Sequence, residues 1–194
     1  RWLRLVAGGF DGKGYVYDST TGATLVTYQF STAPSVINDV ALTPAGAWFT
    51  NSFQPELYFV PITHGHPGPF TTLHLSGPAA AAPPGEINNN GIQATSDGST
   101  LVVAHSSSGA LNAVNPKTGA SRTIKGLNLP NVDGIPMEGR TVYAVQNSVN
   151  QIGELRLSGH LPSGSLCTGH TRAVLRGPTL CPRFRPGPDC APGS

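Results

Sequence analysis

The tightest constraint on this chain is that it repeats itself. Three stretches run through one order of parts: a polar pair with an aliphatic residue, a glycine turn, an apolar strand, a second turn and another strand. The first is Asn38-Asp39-Val40, Pro44-Ala45-Gly46, Ala47-Trp48-Phe49-Thr50 and Leu57-Tyr58-Phe59-Val60. The second is Asn90-Gly91-Ile92, Ser96-Asp97-Gly98, Leu101-Val102-Val103-Ala104 and Leu111-Asn112-Ala113-Val114. The third is Asp133-Gly134-Ile135, Glu138-Gly139, Val142-Tyr143-Ala144-Val145 and Ile152-Gly153-Glu154-Leu155. A partial copy opens the chain, with Gly14-Tyr15-Val16-Tyr17-Asp18 ahead of a Thr21-Gly22 turn. Ala47 to Leu57, Leu101 to Leu111 and Val142 to Ile152 are each ten residues apart, which predicts hairpins of one length.

The spacing of the copies selects the fold. From Tyr17 to Phe59, Phe59 to Ala113 and Ala113 to Glu154 the intervals are 42, 54 and 41 residues. A unit of about 40–45 residues with three or four antiparallel strands marks a propeller blade. The middle interval is lengthened by a Pro- and Ala-rich insertion, residues 61–86. The predicted fold class is therefore all-β, a β-propeller of about four blades over residues 1–158. A β-sandwich with evenly spaced strands is the alternative, but a sandwich does not require the same polar pair at each strand start.

Composition agrees with many short strands and turns. The 194 residues include 24 Gly and 18 Pro, and only 11% are charged. That excludes coiled coils, helical bundles and acidic disordered tails, which need Glu, Lys, Ala and Leu. No apolar run approaches the ~18 residues of a membrane-spanning helix, so no membrane partner is expected. Residues 1–158 hold eight Lys/Arg against nine Asp/Glu, with no basic cluster that would serve nucleic acid.

Residues 159–194 break the pattern. They carry the excess positive charge and all three cysteines, Cys167, Cys181 and Cys190, and little regular structure is expected there. The cysteine spacings match no zinc signature, and an odd count leaves one thiol unpaired. The shift falls where another blade is due and reads as an altered frame or alternative splice. The charge-poor, cysteine-free body would suit a secreted propeller. Arg1 opens directly into a strand-like run without Met, which leads us to expect chain upstream.

The recurring polar residues are the candidates for chemistry. In a propeller the start of each innermost strand faces the central channel, so Asn38, Asp39, Asn90 and Asp133 would converge there. Amide carbonyls and carboxylates form an oxygen-only set, which suits a hard cation such as Ca²⁺. The same residues at strand starts also serve as makers of local turn hydrogen bonds.

The ordered set of motifs resembles a known family. Asn38-Asp39-Val40 with Pro44-Ala45-Gly46, Asn90-Gly91-Ile92 with Ser96-Asp97-Gly98, and Asp133-Gly134-Ile135 with Glu138-Gly139 are similar to the "ND…DPAG", "NG…SPDG" and "DG…DG" elements of the senescence-marker/gluconolactonase (regucalcin-like) family, in the same order. The resemblance covers about residues 3–158 and implies part of a six-bladed propeller that binds one divalent metal on its axis and hydrolyses lactones or related esters. It implies Asn90 and Asp133 as metal ligands, Asp133 also as the base that activates water, and Asn38 and Asp39 on the substrate side. The family's further ligand, a glutamate upstream of the "ND" element, has no counterpart, since residues 1–37 contain no glutamate. The isolated chain is accordingly expected to have low or no activity.

Other motifs are weaker. His64-Gly65-His66 lies between prolines in a loop, and His105 before Ser106-Ser107-Ser108-Gly109 reads as a turn rather than a Ser–His pair. There is no G-x-S-x-G elbow and no Asn-x-Ser/Thr acceptor. Two classes of function remain: a calcium-dependent lactonase- or esterase-like hydrolase acting on a small lactone or ester, or a non-catalytic propeller binding a small ligand or protein partner. A truncated product without independent function is a third reading.

Overall fold

The computed structural model describes residues 3–157 and 172–174. Their strands form four antiparallel sheets, one per blade. Blade one is β1 (Leu3–Ala7), β2 (Lys13–Asp18) and β3 (Thr24–Gln29). Blade two runs outward through β4 (Ile37–Thr43), β5 (Gly46–Asn51) and β6 (Glu56–Thr63). The short β7 (His66–Pro67) folds back on the end of β6, and β8 (Thr71–His74) is the outer strand. Blade three is β9 (Asn89–Ala94), β10 (Leu101–His105), β11 (Ala110–Val114) and β12 (Ser121–Thr123). Blade four is β13 (Met137–Glu138), β14 (Thr141–Gln146), β15 (Gln151–Arg156) and β16 (Arg172–Val174).

The repeated spacing becomes a repeated register. Ala47 faces Val60, Leu101 faces Val114 and Val142 faces Leu155, so the second and third strands of three blades form the same hairpin. Two segments differ from the sequence reading. The insertion at 61–86 contains β8, the outer strand of blade two, followed by a turn over Pro78–Ala80 that buries Ala79 completely. Arg172–Val174, in the segment expected to be irregular, pairs with β15; the rest of 159–194, with the three cysteines, lies outside the described residues, as does Trp2.

The core lies between blades rather than within them. One cluster joins Val16, Tyr28 and Phe30 of blade one to Ala47, Phe49, Tyr58 and Val60 of blade two. A second joins Trp48 and Leu57 to Ile92, Leu101, Val103 and Val114, and a third joins Val102, Ala104 and Leu111 to Val142, Ala144 and Leu155. Successive side chains of a strand point to opposite faces. Leu101 and Val103 therefore pack towards blade two, and Val102 and Ala104 towards blade four. A strand covered on both faces needs an unbroken apolar run, which is what 101–104 is. Phe30 stacks on Tyr58 with centroids 4.8 Å apart, and burial pushes the Tyr58 hydroxyl up to about 12.

The turns at the far ends of the blades are closed by their own side chains. Asp97 accepts from Thr95 Oγ1 at 2.6 Å, Ser99 N at 3.0 Å and Ser99 Oγ at 2.9 Å. These bonds, the Thr95 hydroxyl first, hold its carboxyl down at about 2. Because that value lies below the ordinary 3.8, the contribution is present above about pH 4 and fades as pH falls towards 2. Carboxyl titration followed by NMR should show Asp97 ionising near 2, and Thr95→Ala should move it back towards the ordinary carboxylate range.

Close approach of neighbouring blades also explains one glycine. A Cβ on Gly91 would lie 2.4 Å from the Asp133 carbonyl oxygen and 3.0 Å from Gly134 Cα, both backbone atoms of the next blade. Gly91→Ala should lower stability by about 1–3 kcal/mol, the usual cost of overpacking, read as a fall in the thermal unfolding midpoint. An unchanged midpoint would mean that blades three and four are not in this contact.

Candidate functional site at the mouth of the propeller

The four residues predicted from the repeat come together at one end of the blades. Asn38 and Asp39 open β4, Asn90 is the second residue of β9, and Asp133 stands just ahead of β13. Gly91 N–H donates to the Asp133 carbonyl at 3.0 Å, and Ile92 N–H donates to Asp39 Oδ2 at 3.0 Å, so the three chain segments are tied side by side. Gly9 and Ile37 exchange both backbone hydrogen bonds at 2.9 Å, joining blade one to the same end.

Each of the three recurring residues has a partner at the exit of the next strand in its blade. Asn38 Nδ2 donates to Ser52 Oγ at 3.0 Å, and Asn90 Nδ2 donates to Ser106 Oγ at 3.0 Å. Asn147 Nδ2 donates to Asp133 Oδ2 at 2.7 Å. The two serine hydroxyls then reach across to the next blade, Ser52 to the Asn89 carbonyl at 2.7 Å and Ser106 to the Val132 carbonyl. Ser52, Ser106 and Asn147 were not among the predicted site residues.

A hydroxyl has one proton. Since each serine gives its proton to a carbonyl, it can only accept from the asparagine, which fixes the amide orientation: nitrogen to the serine, carbonyl oxygen away from it. Among the described residues none donates to Asn38 Oδ1, Asn90 Oδ1 or Asp133 Oδ1. The local hydrogen bonds made by these side chains therefore leave one oxygen of each able to accept.

Asp39 is used differently. Its Oδ1 accepts from Val40 N at 2.8 Å, its Oδ2 from Ile92 N, and its own N–H donates to Thr50 Oγ1 at 3.0 Å. Both carboxylate oxygens are thus taken by backbone. Burial raises its pKa, the two backbone bonds oppose the rise, and the charge of Asp133 adds to it. Asn88 and Asn89, which precede Asn90, are anchored in the fold: Asn88 Nδ2 donates to Ser52 O at 3.0 Å and Asn89 Nδ2 to Ala79 O at 2.9 Å.

Weaker candidates resolve into structure. His105, 1% exposed, meets the Ala81 carbonyl through Nε2 at 2.8 Å. A carbonyl only accepts, so in the neutral ring Nε2 carries the proton and Nδ1 accepts from Ser108 Oγ at 3.0 Å, while Ser107 Oγ gives its proton to Asn88 Oδ1 at 2.8 Å. The Ser–His contact closes the predicted turn, with a backbone carbonyl where a catalytic histidine has a carboxylate. His64 and His66 form the exposed β6–β7 turn. Glu56 is engaged by Tyr58 Oη at 2.8 Å and His74 at 3.4 Å.

Ser106→Ala would strand Asn90 Nδ2 in a residue that is only 6% exposed. It should cost about 1–3 kcal/mol, the penalty of an unmet buried donor, and Ser106→Thr should restore most of it in thermal unfolding.

No family model matches the chain, and no curated protein matches its sequence. Solved structures do match its fold. A streptogramin B lyase superposes with TM-score 0.62 at 14% identity, covering 89% of this chain and 51% of that one. Virginiamycin B lyase from Staphylococcus aureus gives 0.57 at 16%, covering 79% and 48%. The β-propeller domain of Cps50 (Swd1) from Myceliophteria thermophila gives 0.58 at 16%, covering 86% and 55%. The chain is therefore a β-propeller of about four blades and spans about half the length of the structures it matches. The likeness is one of fold, shared by proteins of different function.

Proposed function

We propose that the mouth of this propeller binds a hard divalent cation, calcium first, and that lactone or ester hydrolysis is the reaction the site serves. The observation that carries the reading is the commitment of amide nitrogens: with Asn38 and Asn90 held by Ser52 and Ser106, two carbonyl oxygens and one carboxylate oxygen of Asp133 are left to accept. This donor set fits calcium in kind, being all oxygen with one full charge. It fits only weak binding, because calcium takes about six to eight oxygens and water must supply the others.

When bound, the cation would polarise the substrate carbonyl as a Lewis acid. Asp133, oriented by Asn147, would take a proton from the attacking water. Asn38 would lie beside the cation and the substrate, and Asp39, bound to two backbone amides, would keep β4 against β9 so that the set stays in register. A propeller that binds a ligand at this mouth without turnover is the second reading.

Calcium should raise the unfolding midpoint of the chain by about 5–10 °C when present at roughly a hundredfold its Kd. Asp133→Ala should abolish the rise while leaving the calcium-free midpoint close to that of the parent. No rise in the folded parent chain overturns the cation site. A rise without turnover of aldonolactones or aryl esters, even at full length with the remaining blades present, favours the binding reading.

A further inference from the structure

We propose that the mouth takes a lactone or ester bearing an aryl or alkyl group, which lies on the paired rings of Phe10 and Phe53; the proposal rests on the mouth being the ligand site. Phe10 is 80% exposed, more than Leu42 at 65%, Val149 at 48% or Val6 at 37%, the other exposed large apolar side chains described. Its ring meets Phe53 edge to face, with centroids 6.2 Å apart and planes at 67°. Such a pair offers an apolar platform to a third ring or chain.

The pair is built into the site rather than scattered near it. Phe10 follows Gly9, whose backbone exchanges two hydrogen bonds with Ile37, the residue before Asn38. Phe53 follows Ser52, the hydroxyl that accepts from Asn38 Nδ2. The loops that carry both rings are thus tied to the Ile37–Asn38 stretch, on the substrate side of the proposed site. On the blade-four side, Val149 lies two residues from Asn147, which orients Asp133. Leu42 lies towards the opposite end of β4 and has no part in this surface.

A rim of this kind discriminates by what it covers. An apolar substituent placed over Phe10 and Phe53 removes exposed ring surface from water at no polar cost, whereas the hydroxyls of a sugar lactone would lose water against the rings without gaining partners. The acceptor-rich axis and the apolar rim together select an amphipathic molecule, with its carbonyl oxygen towards the cation that Asn90 and Asp133 would hold and its substituent outward over the rings.

The test uses the full chain with calcium present and compares, by calorimetry, a phenyl-substituted five-membered lactam with the unsubstituted lactam, both stable analogues of the lactones. The phenyl compound should bind more tightly, and Phe10→Ala and Phe53→Ala should each erode that preference roughly two- to tenfold. Leu42→Ala should leave it intact. Equal binding of the two lactams by the parent chain, or a preference that survives both phenylalanine variants, overturns the proposal. Calcium stabilisation without a phenyl preference removes the aromatic subsite alone; a phenyl preference lost in Phe10→Ala but indifferent to calcium keeps the subsite and removes the cation.

Discussion

Everything at the mouth depends on where two hydroxyl protons go. Ser52 and Ser106 each stand between an asparagine of their own blade and a backbone carbonyl of the next, and each can donate only once. Donation to the carbonyl ties adjacent blades together at their inner strands, and it dictates which end of the asparagine amide meets the serine. A blade contact and a site geometry are set by a single proton. Reversing that proton would set an asparagine oxygen against the serine and leave the neighbouring carbonyl without its donor, in a region where an unmet polar group costs about 1–3 kcal/mol.

The position after each recurring polar residue shows how the blades solve the same contact with different means. In blade two it is Asp39, whose side chain crosses to Ile92 N–H. In blade three it is Gly91, whose backbone N–H itself donates to Asp133 O and whose missing Cβ is what admits that carbonyl. In blade four it is Gly134, whose carbonyl accepts from Val145 within the blade. In blades two and three the second position thus serves the seam to the next blade, and in blade four it serves the blade itself.

These differences explain what could be read beforehand. The hairpins were legible because a β-turn and its flanking strands are local: the ten-residue spacing survives as Ala47–Val60, Leu101–Val114 and Val142–Leu155. Asn38, Asn90 and Asp133 were legible because they repeat as the same kind of residue at the same place. Their partners were not, since Ser52, Ser106 and Asn147 differ in type and stand in turns, where serine and asparagine ordinarily signal nothing but the turn. The spacing from each recurring residue to its partner, 14, 16 and 14 residues, was the available signal. The outer strand β8 was hidden for another reason: Thr71–His74 has no buried alternation, because an outer strand packs on few neighbours.

The apolar rim and the polar axis are joined by the same logic. A loop that carries an exposed phenylalanine is ordinarily a poor place to find a fixed ring, since loop side chains lack a partner to hold them. Here both loops are pinned from below by the seam, Gly9 through its two bonds to Ile37 and Phe53 through Ser52 and through its own N–H, which donates to Asn51 Oδ1 at 3.1 Å. The bonds that join blade one to blade two and close the end of β5 are therefore those that hold the two ring-bearing loops. Positioned aromatic surface at this mouth is a consequence of how the blades are fastened, and it needs no scaffold of its own.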